Sequence, residues 1–219
     1  MVRQVHASRL ARGLLAVALA ALAAGCSPPP PESVYLNEYQ SLYGGRQPTP
    51  ADFFTCYHWE CKSIARVSLS PEEWAEAIAP VAASAPDARS ERRQIAHGVV
   101  VMERLTGQRM AATEEERREF FGGDSDQLDC IDDSINTWVY MTMLEREGLL
   151  VHHTVGGIAH GGSVLTMDVR NSAVLVVKAT GESFAIDPTQ AKDGGPPPTF
   201  PLGLWEGDWP PDMTLAEHN

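Results

Sequence analysis

The spacing of apolar positions along the chain changes period once, and that change divides it. Ser70-Pro71-Glu72-Glu73 sets an N-cap serine, a proline at the first helical position and a capping-box glutamate ahead of Trp74, Ala77, Ile78 and Val81. This predicts a helix ending near Pro86. A second stripe, Ile95, Val99, Met102 and Leu105, predicts a helix from Arg89 to Thr106 with Gly107 as its stop. Thr113 and Glu114 to Glu119 read as a solvated turn or short helix closed by Gly122-Gly123-Asp124. A third helix is expected to be capped by Asp129 and opened by Cys130. Ile131, Ile135, Trp138, Val139, Tyr140, Met141, Met143 and Leu144 leave it few polar faces before Glu145-Arg146-Glu147-Gly148, so it belongs in the middle of the domain.

From Leu149 onward the period becomes two. Strand-like runs are expected at 149–155, 163–169, 173–178 and 183–187, and the last two flank Ala179-Thr180-Gly181-Glu182 as a hairpin. Helices first and antiparallel strands afterwards make an α+β fold, with a helical N-terminal half and a buried, cysteine-led helix packed on the sheet. Beyond Pro188 a Gly/Pro-rich stretch is expected to wrap the surface, anchored by Trp205 and Trp209. Residues 26–50, rich in proline, read as a linker.

Composition narrows the class. With 43% hydrophobic and 21% charged residues in 219, the chain is neither disordered nor collagen-like, and it is not a multi-span membrane protein. Arg3, Arg9 and Arg12 precede the apolar run 14–24, which is short for a membrane span but suits a secretion signal. That run ends in Ala23-Ala24-Gly25-Cys26, which resembles a bacterial lipobox. The expected organisation is a lipoprotein signal over 1–25, lipidation at Cys26, the linker 26–50, and a single domain over 51–219. The protein would then be held by an N-terminal lipid in the cell envelope, facing the periplasm. The formal charge is −12, and the 17 basic side chains less those three arginines leave 14 against 29 acidic ones, which argues against nucleic acid as a partner.

In an oxidising compartment, Cys56 and Cys61, five apart, are expected to form a disulfide. His58 between them suggests a metal, but no fourth ligand is evident, and none is assigned. Asp124, Asp126, Asp129, Asp132 and Asp133 lack the central glycine and distal glutamate of a calcium loop, so they read as helix caps and a solvated loop. His97 lies off its helix's apolar stripe and reads as a surface residue. Of His152 and His153, only one can face a given site from a strand. No cofactor is implied.

Cys130 is the odd thiol, at a helix start where unpaired N–H groups and the dipole favour thiolate, against the repulsion of neighbouring aspartates. Asp129-Cys130-Ile131-Asp132-Asp133-Ser134-Ile135-Asn136-Thr137, Gly148-Leu149-Leu150, and the hairpin from Ala173-Val174-Leu175-Val176-Val177 to Ile186-Asp187-Pro188-Thr189 resemble the transglutaminase-like superfamily. The resemblance is to its bacterial transglutaminase-like cysteine proteinase branch and covers about residues 125–205. It implies a papain-like fold with cysteine at a helix N-terminus, histidine at the start of one strand and aspartate at the end of the next. It also implies attack on amide bonds through a thioester.

Asp187 fits the aspartate, but where the histidine is expected the chain has Arg170, Asn171 and Ser172, none a base near neutral pH. His160, in the Gly-rich stretch Gly156 to Gly162, is the substitute that a loop would have to bring in. Arg170 is a further cleft candidate, as a thiolate stabiliser or ion-pair partner of Asp187, and Gln127 as an oxyanion donor. The reading is an envelope lipoprotein with a catalytically degenerate transglutaminase-like domain that binds a peptide or envelope protein beside Cys130. The alternatives are an active cysteine amidase, peptidase or acyltransferase using Cys130, His160 and Asp187, and a purely structural lipoprotein in which Cys130 is inert packing. Asp187 before Pro188 also suits a plain turn.

Overall fold

The computed structural model divides into Met1–Pro31 and Glu32–Asn219. It describes residues 34–41, 44, 46–58, 60–121, 130–163, 168–191 and 195–207. The signal, Cys26, Gln127, Trp209 and the aspartates Asp124, Asp126 and Asp129 lie outside them. No helix among the described residues is long and apolar enough to cross a membrane.

The architecture is α+β, with helices and two antiparallel sheets. Helix α1, Val34–Ser41, corrects the expectation of linker up to residue 50. Its Leu36 and Tyr39 stand three apart, on one helical face, and both are buried in the core; the Tyr39 hydroxyl donates to the carbonyl of Phe54. Strands β1, Phe53–Tyr57, and β2, Ser63–Val67, form a hairpin whose loop is closed by the expected Cys56–Cys61 disulfide. The N-terminal half is therefore not wholly helical. Within that loop His58, Glu60 and Cys61 have φ of 64°, 58° and 54°. Side chains with a Cβ disfavour this left-handed region by roughly 1–2 kcal/mol per residue.

Helix α2, Pro71–Ile78, starts with the capping box read from sequence: Glu73 N donates to Ser70 Oγ at 3.2 Å and Ser70 N to Glu73 Oε2 at 2.7 Å. It ends at Ile78 rather than near Pro86, although Val81 and Ala85 are still buried. Helix α3, Ala88–Phe121, runs through Gly107 and absorbs the segment expected as a solvated turn or a separate short helix. A glycine inside a helix costs about 1 kcal/mol against alanine, and the run Gln108 to Ala112 that follows it consists of strong helix formers.

Helix α4, Cys130–Arg146, is buried on nearly every face from Ser134 to Leu144, as its sequence requires. One side meets β1 and the other the four-stranded sheet of β3, His153–Ser163, β4, Asp168–Val177, β5, Ser183–Ile186, and β6, Thr199–Pro201, in that order. Ile158, Ala173, Leu175 and Ile186 join the main core with α4. Ala159, Val174, Ala185 and Phe200 form a second cluster, closed by Trp205 of the short helix α5, Leu202–Trp205.

Two glycines make β3 possible. Register slips between Val155 and Ile158, and a Cβ on Gly156 would lie 3.1 Å from the Val174 side chain. A Cβ on Gly161 would lie 2.9 Å from the Trp205 ring. The glycines that suggested a loop around His160 are thus demanded by close packing, and His160 sits on a strand, paired with Asn171.

Candidate functional site around Cys130

The start of α4 meets the start of β4. Cys130 is half-buried and is the free cysteine among the described residues. Asn171, 5% exposed, donates from Nδ2 to Cys130 Sγ at 3.2 Å, and the sulfur lies 3.9 Å from the Val169 carbonyl. On its other side the Asn171 Oδ1 hydrogen-bonds Nδ1 of His160, whose side chain reaches solvent. The amide orientation is mutually consistent: an oxygen accepts from the ring N–H while the nitrogen donates to sulfur. A neutral ring that donates from Nδ1 keeps its lone pair on Nε2, the nitrogen not engaged with Asn171. The imidazole therefore reaches the sulfur through an amide, and an amide neither takes up nor gives up a proton at neutral pH.

Asp187 lies where the next strand ends, 1% exposed, and all its bonds are structural. Its Oδ1 accepts from Thr189 N at 3.1 Å and Thr189 Oγ1 at 2.6 Å, capping a 3-10 turn at Pro188–Gln190, and its Oδ2 accepts from Trp205 Nε1 at 2.9 Å. The plain-turn reading of Asp-Pro thus describes what Asp187 does locally. Ala173 pairs with Ile186, so register sets Ser172 next to Asp187. Ser172 is fully buried and its hydroxyl donates to the Ile186 carbonyl at 2.5 Å. This is the position opposite the aspartate where the resemblance asks for histidine.

Arg170, expected in the cleft, faces the C-terminal segment instead. Its Nη2 donates to the carbonyls of Trp205 and Gly207, both at 3.1 Å, and its guanidinium lies 5.5 Å from the Trp205 ring. The Asp187 carboxylate is held by the Trp205 indole. Asp132, two residues after Cys130, is fully buried and accepts from Cys61 N at 2.8 Å. Asp132 and the two disulfide sulfurs lie within 4.8 Å of one another, a grouping with metal-ligand types. The sulfurs are bonded to each other and are not thiolates, so in this state the group offers one ligand.

A second polar cluster, which no sequence pattern marks, lies at the other end of β4. Glu91, 1% exposed on the first turn of α3, accepts from Val151 N at 2.5 Å, from His152 N at 2.9 Å and from His153 Nδ1 at 2.6 Å. Nε2 of the fully buried His153 faces Nη1 of Arg92 at 3.3 Å, and Arg92 lies 3.6 Å over the Phe184 ring. Burial lowers the His153 pKa, opposed by its bond to Glu91 and aided by Arg92. Burial alone would raise Glu91, but the bonds from His153 and from the backbone of His152 and Val151 overcome it and hold the carboxyl below its ordinary range. His152 sets Nε2 3.1 Å from the Ala85 carbonyl, and His97 is exposed as expected. Neither is brought to Cys130.

Asn171 is the contact that sequence reasoning passed over as chemically idle. The signal that would have found it is strand pairing: once Gly156-Gly157 is read as a bulge, His160 falls opposite Asn171. No protein-family model, no curated protein and no solved structure matches the chain.

Proposed function

We propose that the chain is an envelope lipoprotein, anchored through Cys26, whose folded part is a catalytically degenerate transglutaminase-like domain that binds a peptide or envelope protein beside Cys130. The observation that carries this reading is the pairing at the sulfur: Cys130 meets the amide of Asn171, and among the described residues no imidazole touches it. Three placements support a shared ancestry with that superfamily. They are a cysteine opening an interior helix, an aspartate ending the strand next to β4, and a buried Ser172 where register calls for the base. Without a base, the thiol proton has no acceptor and a leaving amine has no donor, so thioester chemistry stalls at its first step. Recognition is still served. The exposed Val169 side chain and the His160 ring flank the sulfur and offer an apolar and a hydrogen-bonding contact to an extended chain.

Iodoacetamide labelling of Cys130 across pH tests the reading. The expected outcome is a pH dependence of labelling that His160→Gln leaves unchanged, with labelling slowed by envelope-derived peptides that bind. A pH dependence that His160→Gln moves toward that of an unassisted thiol would overturn it and favour an active cysteine amidase or peptidase instead. A Cys130 that no peptide protects would leave only the structural role.

A further inference from the structure

We propose that Cys56–Cys61 is a redox-active pair, opened by dithiols in the folded protein, and that Asp132 passes its state to Cys130. The two sulfurs are unequal. Cys56 is fully buried, and its backbone is fastened at both ends by Asn136, with Cys56 N donating to Oδ1 at 2.7 Å and Asn136 Nδ2 to the Cys56 carbonyl at 2.9 Å. Cys61 is partly exposed, and its backbone N–H donates to Asp132 Oδ1. An incoming thiolate therefore reaches Cys61 Sγ. The residues the bond encloses also favour opening. His58, Glu60 and Cys61 all hold left-handed backbone at positions with a Cβ, and a closed ring keeps them there. Opening the ring lets all three return to the common regions.

The chemistry balances with a dithiol as reductant. Its thiolate attacks Cys61 Sγ, the sulfur–sulfur bond breaks, and Cys56 Sγ leaves and takes up a proton. The reductant's second thiol then displaces Cys61 as a thiol, so two electrons and two protons pass to the protein and the reductant leaves as a disulfide. The buried carboxylate of Asp132, within 4.8 Å of both sulfurs, disfavours a second negative charge and keeps the product as thiols.

The consequence reaches α4. Asp132 and Asn136 stand four apart on one face of its first two turns, and Cys130 is on the same first turn. Opening removes the Cys61 N–H from Asp132 while Asn136 keeps the Cys56 end in place, so the helix start loosens and the second turn does not. Cys130 then parts more readily from Asn171 and Val169. This second half deepens the proposed recognition role of Cys130; the lability of the pair does not depend on it.

The test uses the full chain without denaturant. Dithiothreitol is titrated in, thiols are trapped with N-ethylmaleimide, and labelling is read peptide by peptide while circular dichroism follows the fold. The expected result is labelling of Cys61 ahead of Cys56 with the dichroism unchanged. A bond that opens only in denaturant would overturn the first half. Cys130 labelling is expected to quicken at least about five-fold on opening, and in the same direction in oxidised Asp132→Ala, which removes the acceptor of the Cys61 N–H. A Cys130 rate unchanged by both would overturn the transmission. Peptide protection of Cys130 is measured in the oxidised chain, so loss of the recognition role and loss of this coupling give separate readings.

Discussion

Acidification should unfasten α3 from the sheet through the buried Glu91, His153 and Arg92. Glu91, buried, gathers three donors, Val151 N, His152 N and His153 Nδ1. His153 has a folded pKa below its ordinary 6.5, so the unfolded chain binds its proton first. Its contribution is therefore fully present above about pH 6.5 and is lost as pH falls from there toward the folded pKa. Glu91, also depressed, adds a second loss that begins below its ordinary value of 4.5. One proton sets a slope of at most about 1.4 kcal/mol per pH unit. Glu91→Ala strands the buried donors of Val151, His152 and His153, a change worth about 1–3 kcal/mol for each donor left unpaired. Urea unfolding at pH 7.5, 6 and 5 measures both effects. His153→Asn keeps a donor near Nδ1 but does not titrate, so it should flatten the stability curve between about pH 6.5 and 5. An identical curve in wild type and His153→Asn would refute the argument.

Two further outcomes are expected. Gly161→Ala should destabilise by about 1–3 kcal/mol in urea unfolding, because its Cβ meets a buried indole that Asp187 prevents from moving; an unchanged midpoint would count against that packing. Glu103, pushed up to about 7 by burial and then by Asp133, contributes stability that is complete below its ordinary 4.5 and lost as pH rises through 7, so Glu103→Gln should raise the urea midpoint at pH 8.5 more than at pH 5.

The parts of the fold that were legible from sequence are those set by local patterns. The Ser70 to Glu73 box, the greasy run after Cys130 and the turn at Thr180-Gly181 each carry their signal within a few residues. What was not legible depended on contacts from far along the chain. Helix α1 is held by Leu36 and Tyr39 against a core that its own sequence does not contain, and β6 exists because Thr199 pairs with Ile186. His160 was misplaced because glycines that signal loops also mark close approach, and only Val174 and Trp205, distant in sequence, decide between the two. The site divides along the same line. Cys130 and Asp187 were visible at element ends, while the Asn171 bridge and the hold of Trp205 on Asp187 needed strand register and the tail.

The grip of Trp205 on Asp187 bears on how such a protein could change over generations. An imidazole arriving at position 172 would find its natural partner already occupied by an indole that also roofs Gly161 and whose carbonyl anchors Arg170. On the proposed reading, a histidine at position 172 could engage Asp187 only if the tail were rebuilt as well as one strand, so a single substitution would not supply a working triad.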